Sequence, residues 1–455
     1  MPRRRGPNTS LAELLTEADI SAAELAREVN RLAAAEGMSL RYDRTTVAHW
    51  LTGSRPRGLV PQLVAEALTR RTGRPVSAQE TGLTDDADES HEDEQRSVLQ
   101  NLVVLARTDA DPARRVTLLQ SAFRQRSVPG TEAVVADQPV GPSRHRAGAT
   151  GAEAEWVRFM VSHFAAGWYR YGGGYARAAL ASGLGDDVAR LLVPQALPAV
   201  RTAILSATAQ LAHLLGEMSA DAGHQGLAQR YYLLALDAAT EAGDRHTHAI
   251  TLRAMSVQAV RMKAFRYAAD LADTAVTTAV PSGSGDLQAF VLVQRAHVQA
   301  LMGEHHSAYR DLDEAERSLG RADERQGAFF HYPRAGFAYR QGQTLHRLGE
   351  VRPALDVLQY AAAERPAHEH RLRALSQARA ALVLLEQGWV DEACVHGRLF
   401  VEEYPFLRSH RCTLALRELR ARLMPFRRLP EVAALLARLS SLTPPTEPAW
   451  GFPGI

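Results

Sequence analysis

Short polar side chains recur along one side of the stretch Asp43 to Gly53: Thr45, His49 and Thr52, with Thr46 beside them and Arg44, Arg55 and Arg57 before and after. Hydroxyl and imidazole groups of this length reach base edges in the major groove of DNA without bringing negative charge toward phosphates. Arginines at both ends of such a face suit phosphate contacts, which position a protein on a duplex without reading its sequence. Thr45, Thr46 and His49 are the base-contact candidates, and Arg44, Arg55 and Arg57 the phosphate candidates. A solvated helix surface shows the same residue types, so the case turns on how they are held.

The holding element is a short helix. Asp43 can accept from the free amides of its first turn, and Gly53 can take the left-handed conformation that stops it. Val47, Trp50 and Leu51 fall at i, i+3 and i+4, one apolar stripe opposite Thr45, His49 and Thr52. Upstream, Ser21 and Glu24 have the spacing of a capping box, followed by Leu25, Ala26 and Val29 as a buried face. With these residues the chain resembles the lambda-repressor and Cro (XRE) type of helix-turn-helix: "ISAAELAREVNRL" is similar to its first helix and "RTTVAHWLTGSRP" to its recognition helix and exit. The stretch Arg31 to Tyr42 is longer than that family's turn. A rotation of the second helix by this insertion would bring Thr46 and Thr52 into the reading position.

A further helix is expected over Leu59 to Leu68, with Pro61 tolerated in its first turn, closing a small domain over residues 1–75. Those residues hold twelve arginines against eight acids, among them Arg3 to Arg5, Arg70, Arg71 and Arg74. Thr84 to Glu94 reverses the sign with seven carboxylates and nothing to bury, as a solvated linker does; alternatively it competes with DNA phosphates for the basic module. A linker region is expected over 76–151, with a helical segment at 95–126 and a Pro- and Gly-rich stretch after it. Gly172 to Gly174 read as a helix-helix turn, since no Gly-Lys-Ser/Thr follows.

The chain has 455 residues, more than one core usually supports, so at least two domains are expected. It is 46% hydrophobic and 23% charged with a net charge of +2. No apolar run approaches the roughly 20 residues of a membrane span, and no apolar segment follows the N-terminal arginines as in a secretory signal. Two cysteines, Cys394 and Cys412, favour a reducing compartment and core roles, hence a cytoplasmic protein with no membrane partner. The histidine pairs His246/His248, His305/His306 and His368/His370 lack a carboxylate and third ligand at metal-binding spacing, and no serine sits in a nucleophile elbow. No enzyme, metal or cofactor is expected. Lys263 is the only lysine among 53 basic residues.

From about Glu153 onward helix follows helix, and small-large-small triplets recur at Ala228/Tyr232/Ala235, Ala268/Ala272/Ala275, Ala308/Leu312/Ala315, Ala354/Leu358/Ala361 and, more weakly, Ala393/Gly397/Phe400. Gly223, Gly303, Gly349 and Gly388 stand five residues before four of them; Gly216 and Gly342 stand twelve before, where two helices would cross closely. The pattern resembles tetratricopeptide repeats, although the triplets are 39 to 46 residues apart against that family's 34. The resemblance implies an all-α protein, a small helix-turn-helix domain followed over 152–440 by an α-solenoid of helical hairpins, with a Pro-rich tail at 441–455. Carrying the family's groove positions over places His213, Glu217, Arg253, His297, Tyr339, Gln343 and His346 on a concave face that binds a peptide, small molecule or protein. Gram-positive peptide-sensing regulators and actinobacterial regulators of development and antibiotic production look similar. The layout therefore implies a homodimeric transcription regulator acting on double-stranded DNA. The alternative is an interaction adaptor whose N-terminal helices only pack.

Overall fold

The computed structural model describes residues 7–35, 40–56, 60–72, 76, 80–83, 98–125, 150–191, 197–280, 284–319, 329–330 and 332–442. Arg3 to Arg5, Arg57, Arg74, the acidic run 84–94 and the Pro-rich tail beyond Leu442 lie outside them. The described residues are helical and include no strand. They divide into two compact units: the first takes in 1–158, 178–216 and 224–282, the second 159–177, 217–223 and 283–455.

The first unit opens with α1 (Thr9–Glu17), α2 (Ala22–Ala35), α3 (Arg44–Leu51) and α4 (Val60–Thr72) around one core of Leu11, Leu14, Leu25, Val29, Val47, Trp50, Leu63, Val64 and Leu68. Asn8 starts this module: its Oδ1 accepts from the Leu11 amide at 3.0 Å, its Nδ2 donates to Thr81 O, and its own amide donates to Leu51 O. The expected capping box opens α2, with Ser21 N donating to Glu24 Oε2 at 2.8 Å and Glu24 N donating to Ser21 Oγ. Part of the long connection from Arg31 to Tyr42 is helix, because α2 runs on to Ala35. Asn30 then grips the incoming chain through both backbone groups of Tyr42 (2.8 and 2.9 Å), and the Tyr42 ring meets Trp50 edge-on at 5.3 Å. The capping box of Asp43 and the left-handed Gly53 (φ 104°) bound α3.

Two helices follow in the expected linker, α5 (Val98–Ala110) and α6 (Pro112–Leu119), then α7 (Gly151–Tyr171) and α8 (Arg177–Gly183), which continues as a π-helical turn over Leu184–Val188. The glycine run 172–174 is a turn, and a side chain at Gly173 would meet Met218 O at 2.2 Å. The longer helices that follow are α9 (Pro198–Ala222), α10 (Gln225–Glu241), α11 (Arg245–Arg261), α12 (Phe265–Ala279), α13 (Gly285–Met302), α14 (His305–Leu319), α15 (Arg334–Arg347), α16 (Val351–Ala363), α17 (His370–Glu386), α18 (Val390–Glu403), α19 (His410–Leu423) and α20 (Pro430–Ser441). In the first unit α11 packs on α12; in the second α13 packs on α14, α15 on α16, α17 on α18 and α19 on α20.

The triplets lie on the second helices, and their members are buried. A small residue stands twelve positions before the first alanine of each triplet: Gly216, Ser256, Ala296, Gly342 and Ala381. A Cβ on Gly216 would meet Tyr232 Cδ1 at 2.5 Å, and one on Gly342 would meet Leu358 Cγ at 2.6 Å. Ser256 fits by donating its hydroxyl to Ala268 O at 2.8 Å. The longest interval, between the third and fourth triplets, contains the connection from α14 to α15, where Phe330 and Tyr332 pack edge-on against Phe290 of α13 at 5.0 and 4.8 Å.

The turns inside the hairpins hold a residue with positive φ: Gly223 (101°), Gly303 (84°), Gly349 (90°), Gly388 (78°) and, where the sequence breaks the glycine pattern, Lys263 at 60°. A side chain in the left-handed region costs about 1 kcal/mol relative to glycine. Lys263→Gly should therefore raise stability by about 1 kcal/mol in chemical denaturation, where an ordinary surface Lys→Gly change would lower it. Ala354→Leu should act in the opposite sense, overpacking the crossing at Gly342 at a cost of about 1 to 3 kcal/mol. An unchanged melting temperature would show that Ala354 does not sit at a close crossing.

Candidate functional site

The outward face of α3 carries Arg44, Thr45, Ala48 and His49, all exposed, while Val47 and Trp50 face the module's core. The two threonines at the start of the helix have different tasks. Thr46 closes the cap: its amide and its hydroxyl both donate to Asp43 Oδ1 at 2.9 Å, and these bonds hold the Asp43 carboxyl below its ordinary range. Thr45 has no such role and stays exposed. Thr52 lies past the last turn, its hydroxyl donating to His49 O at 2.9 Å, and exposed Arg55 follows. Thr45 and His49 are thus the candidate side chains one turn apart on the open face, and Thr46 is the one already engaged. Arg57 lies outside the described residues. Of the other arginines in residues 1–75, Arg70 pairs with Glu66 at 2.6 Å and donates to Phe123 O.

The candidate groove residues fall in both units. In the first, His213 is only 5% exposed, so it is a packed residue instead of an open lining. Its Nδ1 lies 3.1 Å from Thr251 Oγ1, and Thr251 donates its own proton to Thr247 O at 2.8 Å. The imidazole is therefore the donor, with its proton on Nδ1. Arg253 is half-buried on α11. The second unit repeats the device: His297 Nδ1 lies 3.4 Å from Thr344 Oγ1, which donates to Arg340 O at 2.9 Å. Both histidines span from the first helix of one hairpin to the first helix of the next.

On α15, Gln343 accepts from Arg340 Nη1 at 2.9 Å, and Tyr339 packs half-buried against the core that includes Leu355 and Leu375. His346 has the opposite tautomer. Arg379 Nη2 donates to its Nδ1 at 3.0 Å, so the proton sits on Nε2, which points to Glu386 Oε2 at 2.9 Å. Burial and then Arg379 hold its pKa below the usual histidine value, against the pull of Glu386. The structure brings His346 together with Arg379 and Glu386, partners that helical spacing within one repeat does not reveal. Glu217, half-buried, belongs to the second unit with His297, Tyr339, Gln343 and His346.

A buried ionic knot in the second unit has no counterpart in the sequence reading. Asp221 accepts from Ser409 Oγ at 2.9 Å and Arg371 Nη1 at 3.3 Å through one oxygen and from the Gly173 amide at 2.9 Å through the other. Arg371 lies 4.3 Å above the Trp168 ring and is 2% exposed. Removing Asp221 or Arg371 would leave the other an unpaired buried charge, and the knot ties the turn after α7 to α17 and to the start of α19. Neighbouring Cys412 is a poor nucleophile, its thiol pushed up to about 12 by burial. No group of three or more His, Cys, Asp or Glu among the described residues is placed to hold a metal, and none of the described helices is long and apolar enough to cross a membrane.

A family model described as SP15 N-terminal domain matches residues 11–84, which enclose most of α1, all of α2 to α4 and the turn at Gly82. No curated protein matches the chain.

His248, 3% exposed in the first turn of α11, has its pKa lowered to about 4 by burial, with Asp244 opposing weakly. Its folded pKa lies below the unfolded value near 6.5, so the unfolded state takes the proton first, and stability present above that value drains away as pH falls toward 4. His248→Gln should make urea midpoints at pH 7 and pH 5 more alike, sparing about 2 kcal/mol of acid loss. An acid limb as steep as the parent's would show that His248 titrates normally.

Proposed function

We propose that the chain is a sequence-specific DNA-binding transcription regulator: residues 1–75 read double-stranded DNA as a repressor-type helix-turn-helix, and tetratricopeptide-like hairpins behind them take up a peptide, small molecule or protein that changes DNA affinity. One observation carries the reading. The helix α3 is buried on its Val47 and Trp50 side, capped at both ends, and open on a side bearing Thr45, His49 and Arg44 with no carboxylate among them. That surface suits insertion between phosphate walls, where a carboxylate would be repelled.

The close crossings at small residues and the left-handed turns five residues before each triplet support the tetratricopeptide likeness. The intervals above 34 residues are accounted for by long helices, such as the 17 residues each of α10 and α11 and the 18 of α13. Such pairs stack into a solenoid, with first helices on the concave side. In this reading the protein acts in the cytoplasm as a homodimer, without catalysis, cofactor or membrane. Glu217, Arg253, His297, Tyr339, Gln343 and His346 are the groove residues with side chains still partly open.

The test is binding of the full chain to duplexes selected from a random-sequence pool, followed over a salt series by fluorescence anisotropy. Thr45→Ala or His49→Ala should cost about 1 to 3 kcal/mol on the selected site and much less on unrelated duplex. Arg55→Ala should weaken all duplexes alike and reduce the salt slope by about one. Selective binding that survives Thr45→Ala and His49→Ala together would remove α3 as the reader. Absence of salt-dependent duplex binding would place the chain with interaction adaptors.

A further inference from the structure

We infer that residues 121–125 are a regulatory strap, holding the N-terminal module to α10 so that the state of the hairpins and occupancy of the α3 face are thermodynamically coupled. The inference rests on the reading of α3 as the DNA-contacting helix, and every residue it uses lies in the first compact unit.

The strap leaves α6 without helical structure and is held from two sides. Toward α4, the Gln125 amide donates to Glu66 Oε2 at 3.0 Å, and Arg70, paired with the other Glu66 oxygen at 2.6 Å, donates to Phe123 O at 3.2 Å. Toward α10, the Arg124 amide donates to Gln229 Oε1 at 2.8 Å, and the Gln229 amide group donates back to Arg124 O. Beneath it, a Cβ on Gly226 would lie 2.1 Å from Ser121 O, so glycine is what lets the strap lie down on α10. The Phe123 side chain is buried, its ring 6.3 Å from that of Tyr267 on α12. One segment of five residues thus reaches α4, α10 and α12.

Glu66 and Gln229 are both more than nine-tenths buried. Lifting the strap removes a donor from a buried carboxylate and both partners from a buried amide. Such losses fall together, because a half-satisfied buried network is worse than either a closed or a solvated one. The strap is therefore docked or released, with little between, as a switch element requires. Its position reaches the reading helix by direct packing: α4 packs on α2, and α2 on α3. On the other side α10 packs on α11, whose Thr251 is held by His213 of α9. A ligand that moves these helices shifts the strap, and coupling between two binding equilibria is reciprocal, so DNA on α3 must in turn alter the stability of α10.

The test is hydrogen exchange on the full chain, with and without saturating duplex selected from the random pool, together with trypsin cleavage at Arg124. In the parent chain, duplex should slow exchange across residues 225–241 at least threefold. In Gly226→Ala and Gln229→Ala, that slowing should vanish while duplex still binds, and cleavage at Arg124 should be at least tenfold faster. The assignment is overturned if saturating duplex leaves α10 exchange in the parent unchanged, or if variants with a released strap show the parent's slowing. A parent chain that binds no duplex would instead overturn the reading of α3, and the coupling with it; the trypsin comparison reads strap docking independently of DNA.

Discussion

Two helices can approach to backbone distance only where one of them carries a hydrogen, a methyl or a single hydroxyl at the crossing, and the hairpins of this chain are arranged around that condition. Gly216, Ser256, Ala296, Gly342 and Ala381 occupy one register position, and Gly216, Ser256 and Gly342 meet triplet members on the second helix at Tyr232, Ala268 and Leu358. With the crossing fixed, the rest of each hairpin follows. Large residues fill the space beside it, as Tyr232 and Leu358 do, and the turn must close within a few residues, which brings in the left-handed conformation. Alanine-rich second helices are thus a packing necessity as much as a helix-propensity choice.

Polar residues supply what small residues cannot. Apolar contact between first helices is tolerant of sliding, whereas a hydrogen bond in a buried setting has one geometry. His213 with Thr251 and His297 with Thr344 show the same solution in the two units: the threonine hydroxyl is spent on its own helix and the histidine must donate. His346 answers to Arg379 and takes the other tautomer. Neighbours alone dictate where the proton sits.

Much of the helical architecture was legible because it is written in local terms. The capping box at Ser21, the cap at Asp43 and the stripe of Val47 and Trp50 each depend on residues within one or two turns, and each reappears in the structure. The triplets and the crossing glycines were legible for a related reason, since repetition converts a long-range contact into a sequence period. What lay beyond reading were contacts made once. The Asp221 knot joins residues more than a hundred positions apart. Gln229 finds Arg124 across a comparable distance, and neither has a repeat to betray it. The commitment of Thr46 to its cap was within reach, because an N3 threonine behind an aspartate is a capping residue before it is anything else. Groove positions were read from a pattern that marks which helix a residue is on and leaves the neighbour's contribution unstated, which is why His213 is packed where an open face was expected.

Lys263 breaks the glycine column at an exposed turn, and it is also the sole lysine of the chain. Apart from the α-amino group, the chain therefore presents a single alkyl amine, on a short, stiff connection between two packed helices. Amine-directed reagents that would decorate most proteins at random meet one side-chain address here, on the turn between α11 and α12. A fluorophore or surface tether attached there would report on, or pull at, a defined point of the first unit, with every other cationic side chain of the chain an arginine or a histidine.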